Sequence, residues 1–182
     1  MKQPRIFAVC GYKHTGKTTL VSSFVQRLSA RGCRVGVIKH DGHDYLAHPL
    51  GTDSHKFVQA GAKETILFDD HGHVSIDRYG DEKPALSKLI AAFSHVDVIL
   101  VEGMKESPLP KWVLLDERDY DPTKGAFVLP DYAQSKDFHQ FVMGFVVSMP
   151  SLRVVGSTCP VYHRDDIESM IAVMMEEGLP WD

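Results

Sequence analysis

Cysteine is scarce in this chain: its 182 residues hold three, Cys10, Cys33 and Cys159, with no CxxC spacing among them. An odd, scattered set argues against a disulfide framework or a zinc knuckle and fits a reducing compartment. Each of the three reads as a small buried side chain. An excess of positive charge is lacking too, because 20 Lys and Arg face 24 Asp and Glu for a formal net charge of −4. No global basic field is therefore available to hold nucleic acid or an anionic membrane, so any attraction for phosphate must be local. Long apolar runs are also missing. The longest, Phe141 to Val147 with one glycine, is far too short to span a bilayer. The N-terminal MKQPRIFAVC has no signal-peptide cleavage pattern. The expectation is a soluble, cytoplasmic protein.

What is present suffices for a full hydrophobic core without disulfide or metal staples. With 43% hydrophobic residues, no repeat, no low-complexity segment and no linker, the chain reads as one domain over residues 1–182. Residues 5–10 (RIFAVC) form an apolar run that stops at a glycine, as a buried parallel strand does. From Lys17 to Arg31 the pattern is helical, with Leu20, Val21, Phe24, Val25 and Leu28 on one face and Gly32 at its end. Residues 34–39 read as a second strand, and strand, glycine loop, helix and strand make a βαβ unit with parallel pairing.

Further along, residues 40–52 read as a loop, and Asp53 as the N-cap of a short helix closed by Gly61. Residues 65–68 and 73–76 flank a hairpin turn at Asp69-Asp70-His71-Gly72. Pro84 opens a helix to about Phe93 with Leu86, Leu89 and Ile90 on its apolar side. Residues 96–101, 112–115 and 141–148 are strands, the stretch 116–140 is a surface loop containing a short helix, and a last helix covers 165–177. The fold class is α/β: a three-layer α/β/α P-loop NTPase with a mostly parallel sheet and an additional β-hairpin.

The loop Gly11-Tyr12-Lys13-His14-Thr15-Gly16-Lys17-Thr18 matches the Walker A pattern at every required position. Its glycines let the backbone turn tightly, so that successive N–H groups of the loop, Lys13, His14 and Thr15 included, point at a β-phosphate. The helix beginning near Lys17 adds the positive end of its dipole. The Lys17 ammonium reaches the β- and γ-phosphates, the Thr18 hydroxyl is placed to ligate Mg²⁺, and Thr19 follows at the α-phosphate.

The magnesium side needs an acid across from Thr18. Val98-Ile99-Leu100-Val101-Glu102-Gly103 supplies four apolar residues and then a carboxylate at the strand's C-terminal edge, where open α/β sheets bind ligands. Glu102 is thus a direct or water-mediated Mg²⁺ ligand, and Gly103 turns its N–H towards the γ-phosphate. Asp41 is a second acid for the metal shell or for positioning the attacking water. His40, His43, His48 and His55 gather in and beside one loop; a transition-metal site, a switch loop sensing the γ-phosphate and unremarkable surface histidines all remain open.

On these residues the chain resembles the MobB family, the molybdopterin-guanine dinucleotide biosynthesis adaptor proteins. The resemblance is carried by GYKHTGKTTL at 11–20, VGVIKHDGH at 35–43, PLGTDSHKFVQAGA at 49–62 and DVILVEGMK at 97–105, with a weaker match at RDDIE, 164–168. It implies a GTP-binding protein with weak Mg²⁺-dependent GTPase activity. The same resemblance implies a homodimer, with the hairpin near 65–78 as part of the contact. It further implies help with attaching GMP to molybdopterin, in partnership with a molybdopterin guanylyltransferase and in possible contact with molybdopterin itself. By position it puts the phosphate and metal roles on Gly16, Lys17, Thr18 and Glu102, and lines the nucleotide with Asp53 and Ser54. No NKxD sequence is present, so the guanine preference comes from the resemblance; a base lying beyond the last strand would meet Ser148-Met149-Pro150. Two alternatives stand beside this reading. A metallochaperone GTPase for nickel or zinc would use the histidine-rich loop. A small-molecule kinase would need an arginine-bearing lid, for which 116–140 offers Arg118 and Lys124.

Overall fold

The computed structural model describes residues 3–40, 52–78, 80, 82–149 and 153–177. In chain order the elements are β1 (Arg5–Gly11), α1 (Lys17–Ala30), β2 (Val35–Lys39), α2 (Asp53–Gln59), β3 (Glu64–Phe68), β4 (Val74–Arg78) and α3 (Leu86–Ala91). They continue with β5 (Val98–Glu102), β6 (Lys111–Leu114), β7 (Tyr120–Asp121), β8 (Ala126–Val128), α4 (Lys136–His139), β9 (Val142–Val147), β10 (Val154–Val155), β11 (Val161–His163) and α5 (Ile167–Glu177). The chain groups into two compact units, residues 1–40 with 90–182, and residues 41–89.

The first unit is built on a six-stranded sheet of order β11-β9-β6-β1-β5-β2, every pairing of which is parallel. β1 and β2 are parallel but not neighbours, a correction to the simple βαβ expectation: β5 lies between them. The reason is burial. All five residues of β5 are buried, and an element apolar on both faces belongs in the middle of a covered sheet.

Side chains alternate between two cores. Trp112, Leu114 and Val146 join Phe7, Val9, Val98 and Leu100 against α1 (Leu20, Val21, Phe24, Leu28) and α5 (Met170, Ile171, Met174). Val113, Leu115, Phe145 and Val147, one residue out of step, face a second core with Phe127, Ala133, Phe138 and Val154. That period of two is the signature of a sheet buried on both sides.

The second core corrects the expectation for 116–140. The stretch is not merely a surface loop, because Ala126, Phe127 and Ala133 are fully buried and β7-β8-β10 form a small sheet of their own. Elements of two to four residues span little more than one turn of a helix or one period of a strand, too little for a periodic pattern to show. β11 was likewise missed, and it extends the main sheet beyond β9.

The expected helix after Pro84 is shorter than its pattern suggested, six residues with none buried. Phe93 leaves it and lies against β2, where a Cβ on Gly36 would come within 2.6 Å of the Phe93 ring. In the second unit α2 is capped by Thr52, whose hydroxyl accepts the His55 N–H; Asp53 is the first helical residue instead of the cap. The hairpin β3–β4 stands as expected, antiparallel with Ile66 opposite Ile76 and Phe68 opposite Val74.

Candidate functional site

The Walker A residues form a tight turn between β1 and α1 at the C-terminal edge of the sheet. Three backbone positions lie at positive φ: Gly11 at 153°, His14 at 68° and Gly16 at 89°. Gly11 also has no room for a side chain, since a Cβ would sit 2.8 Å from Thr15 Oγ1 and 3.0 Å from the Leu114 carbonyl oxygen. The buried Thr15 hydroxyl donates back to the Tyr12 carbonyl at 3.0 Å and closes the turn. α1 begins with no side-chain cap on Gly16 and no acidic residue in its first turn. Its N-terminal dipole is left for something else to satisfy.

Lys17 Nζ lies across the loop and donates to the Tyr12 carbonyl at 2.5 Å. Desolvation pushes its ammonium below the usual lysine range, and the attraction of Glu102 opposes that shift. The opposing carboxylate is well placed. Glu102 ends β5, is 7% exposed, and in register faces Val9 of β1 on one side and Lys39 of β2 on the other. Its Oε1 accepts the Thr18 hydroxyl at 2.9 Å and lies 3.5 Å from Lys39 Nζ. Lys39 is a site residue that the sequence reading overlooked; a lone basic residue closing an otherwise apolar strand was the available signal.

Gly103 departs from expectation. Its N–H is donated to the Val9 carbonyl at 2.9 Å, so it serves the sheet edge and does not turn towards a γ-phosphate. Its φ of 96° bends the chain beside His40, whose carbonyl would lie 3.3 Å from a Cβ there. His40 N in turn donates to the Glu102 carbonyl at 3.0 Å, holding the starts of both post-strand loops together.

Aromatic and basic side chains ring the loop. Tyr12 meets Tyr132 edge to face at 5.2 Å, and the Arg118 guanidinium lies 5.3 Å over the Tyr12 ring. Arg118 also donates to the Lys13 carbonyl at 3.1 Å and is chelated by Asp116 through Nε. Lys105 Nζ sits 4.6 Å over Tyr132. Lys111, 1% exposed, donates to the carbonyls of Lys105 at 2.8 Å and Ser107 at 2.7 Å, pinning the segment that follows Glu102. Arg164 approaches from another element: a Cβ on Gly16 would stand 2.2 Å from its Nη2. Sequence alone offered Arg118 as a lid arginine and Arg164 within the RDDIE match, but it placed neither beside the loop, because long-range packing brings these segments there.

The remaining candidates divide. Thr18 and Thr19 are exposed at the start of α1. Asp53 pairs with Lys56 at 2.8 Å and Ser54 is 9% exposed, both on α2 within the second unit. Asp41, His43, His48 and Pro150 lie outside the described residues. Among the described residues no group of three or more His, Cys, Asp or Glu is arranged to hold a metal, and no helix is long and apolar enough to cross a membrane.

Residues 6–125 match the family model described as MobB, Molybdopterin guanine dinucleotide synthesis protein B. A Molybdopterin-guanine dinucleotide biosynthesis adapter protein of Haemophilus influenzae is 36% identical over 112 residues, 60% of this chain and 62% of that one. A putative adapter protein of the same description from Methanocaldococcus jannaschii is 31% identical over 176 residues, 92% of this chain and 72% of that one. The chain spans less than two thirds of the length of the bacterial relative. Among solved structures, the crystal structure of Bacillus subtilis MobB is similar with a TM-score of 0.69 at 23% identity, covering 93% of this chain and 97% of that one. That likeness bears on the fold.

Proposed function

Since the chain belongs to the MobB family, we propose that it is a GTP-binding adaptor in molybdopterin guanine dinucleotide biosynthesis, with slow Mg²⁺-dependent hydrolysis of the nucleotide. The observation that carries the nucleotide reading is the junction of Walker A and β5, where Thr18 Oγ1 meets Glu102 Oε1 at 2.9 Å.

The residues divide the work as follows. The loop between Gly11 and Thr18 turns its N–H groups to the phosphates, and the uncapped start of α1 adds its dipole. Lys17, poised over the loop against the Tyr12 carbonyl, transfers its ammonium from that neutral oxygen to phosphate oxygens, a stronger charge-assisted partner. Oxygen donors suit a hard divalent cation, and the Thr18 hydroxyl with the buried Glu102 carboxylate would hold Mg²⁺. When bound, that ion neutralises developing charge on the phosphates. Lys39 balances the charge of Glu102 and helps hold the carboxylate beside Thr18. The Lys111 bonds hold the segment after Glu102 in one geometry, so the acid is presented by a fixed backbone.

A homodimer is supported by the hairpin. Ile66, Phe68, Val74 and Ile76 share one face of the two-stranded ribbon and are 58%, 78%, 61% and 51% exposed. An isolated two-stranded ribbon is marginal in water, and a contiguous apolar face on one marks a contact surface. The guanylyltransferase of the same biosynthesis is the partner the adaptor reading requires.

Titration of the purified protein with GTP, ATP and their diphosphates, with and without Mg²⁺, tests the reading, together with capture of a molybdopterin guanylyltransferase from defined components. GTP binding with slow turnover is expected. Tight ATP binding with GTP ignored would overturn the guanine assignment.

A further inference from the structure

We infer that Arg164 is a phosphate-binding residue of the nucleotide site, clamping the phosphate chain against the start of α1. The inference rests on the nucleotide reading above and adds to it a residue from the far end of the chain.

The position is specific. The Arg164 guanidinium fills the space over Gly16: a Cβ there would lie 2.2 Å from Nη2 and 3.3 Å from Cζ. Gly16 therefore answers two demands, a backbone at φ 89° and an approach that any side chain would block. The arginine is delivered by rigid structure, since its N–H donates to the Val147 carbonyl at 2.8 Å, at the edge where β11 pairs with β9.

Among the described residues no acid is paired with its charge, and its guanidinium has no hydrogen bond. The two acids that follow it are turned elsewhere: Asp165 Oδ2 lies 3.4 Å from His163 Nδ1, and Asp166 Oδ1 accepts the Ser169 N–H. Arg118, on the other flank of the loop, differs because Asp116 neutralises it.

A cation held at an uncapped helix N-terminus with no acid in its first turn is electrostatically unfavourable, since both carry positive charge. The arrangement becomes favourable when a polyanion lies between them. The backbone of such a loop cradles the α- and β-phosphates, and a guanidinium fork pairs two phosphate oxygens at once. Arg164 thus grips the phosphates common to a nucleoside di- and triphosphate.

The test compares wild type, Arg164→Ala, Arg164→Lys and Lys17→Ala by calorimetric titration with GDP, GTP and inorganic pyrophosphate, alongside melting curves without ligand. Arg164→Ala should weaken all three ligands by about tenfold or more, the scale of one lost charge-assisted hydrogen bond. Arg164→Lys should recover part of the loss, a point charge replacing a fork. The ligand-free melting temperature of Arg164→Ala should stay level or rise. Wild-type affinity in Arg164→Ala, a loss confined to GTP, a loss for the nucleotides but not pyrophosphate, or a lower ligand-free melting temperature in both Arg164 variants would each overturn the clamp. If wild type binds and Lys17→Ala does not while Arg164→Ala does, only this inference fails. If wild type binds neither nucleotide, the nucleotide reading fails with it.

Discussion

The Thr18 hydroxyl on the first turn of α1 donates to Glu102 Oε1 at the end of β5, 2.9 Å away and 84 residues apart in sequence. The bond joins the phosphate loop to the strand edge through the two oxygen-bearing groups suited to a hard cation. Glu102→Gln keeps the shape but removes the charge. It should lower Mg²⁺-dependent GTP turnover by about tenfold or more while changing nucleotide affinity far less. Single-turnover rates and dissociation constants measured on the same preparation check this; equal turnover with and without the carboxylate would remove Glu102 from the site.

Lys17 gives the site a pH dependence. Burial lowers its pKa in the ligand-free protein, and a bound polyanion raises it again, so binding takes up a proton wherever pH lies between the two values. Affinity for GTP should therefore fall as pH climbs through that window, which opens below the ordinary lysine pKa of about 10.5. Titration in buffers of different ionisation enthalpy reads the proton uptake directly. An affinity that rises with pH over the same range would contradict the sign.

Cys10 is fully buried on β1, and desolvation raises its thiol from 9.0 to about 11. A raised folded pKa means that its stabilising contribution is complete below pH 9 and is lost as pH rises towards 11, where the unfolded thiol ionises first. Cys10→Ala should remove that part of the alkaline decline in stability, seen in denaturant melts at pH 8 and pH 10. At neutral pH only Cys33 and Cys159, both half-buried, should react with a thiol reagent before unfolding. Rapid labelling of Cys10 in the native protein would show that β1 opens.

Phe68 is the most exposed apolar residue of the hairpin face, at 78%. Phe68→Asp places a charge where the dimer reading needs a dry contact, so it should shift sedimentation from dimer to monomer without lowering the melting temperature of the monomer. An unchanged mass would move the contact elsewhere.

Much of this was legible in the sequence, for a physical reason. The phosphate loop is eight contiguous residues whose chemistry is local, and Glu102 stands out because one acid ends an otherwise apolar run. Long elements such as α1 announced themselves by periodicity. What failed to show depended on long-range placement. That β5 lies between β1 and β2, and so sets Lys39 beside Glu102, follows from which strand is apolar on both faces. The motif puts the Gly103 N–H near a phosphate, yet the sheet takes that N–H through the Val9 carbonyl. Thr52 and Asp53 are both good caps, and local sequence does not choose between adjacent ones. The reach of Arg164 to Gly16 requires β11, a three-residue strand with no pattern of its own.

Lys17→Ala is the most direct measurement of the central claim, that this loop holds nucleotide phosphate. Calorimetric titration of GTP with Mg²⁺ should give saturable binding near one per chain for the wild type. In the variant it should give no usable affinity, because the ammonium that bonds the phosphates is gone. Binding in Lys17→Ala as tight as in the wild type would contradict the account, however well the loop matches its pattern.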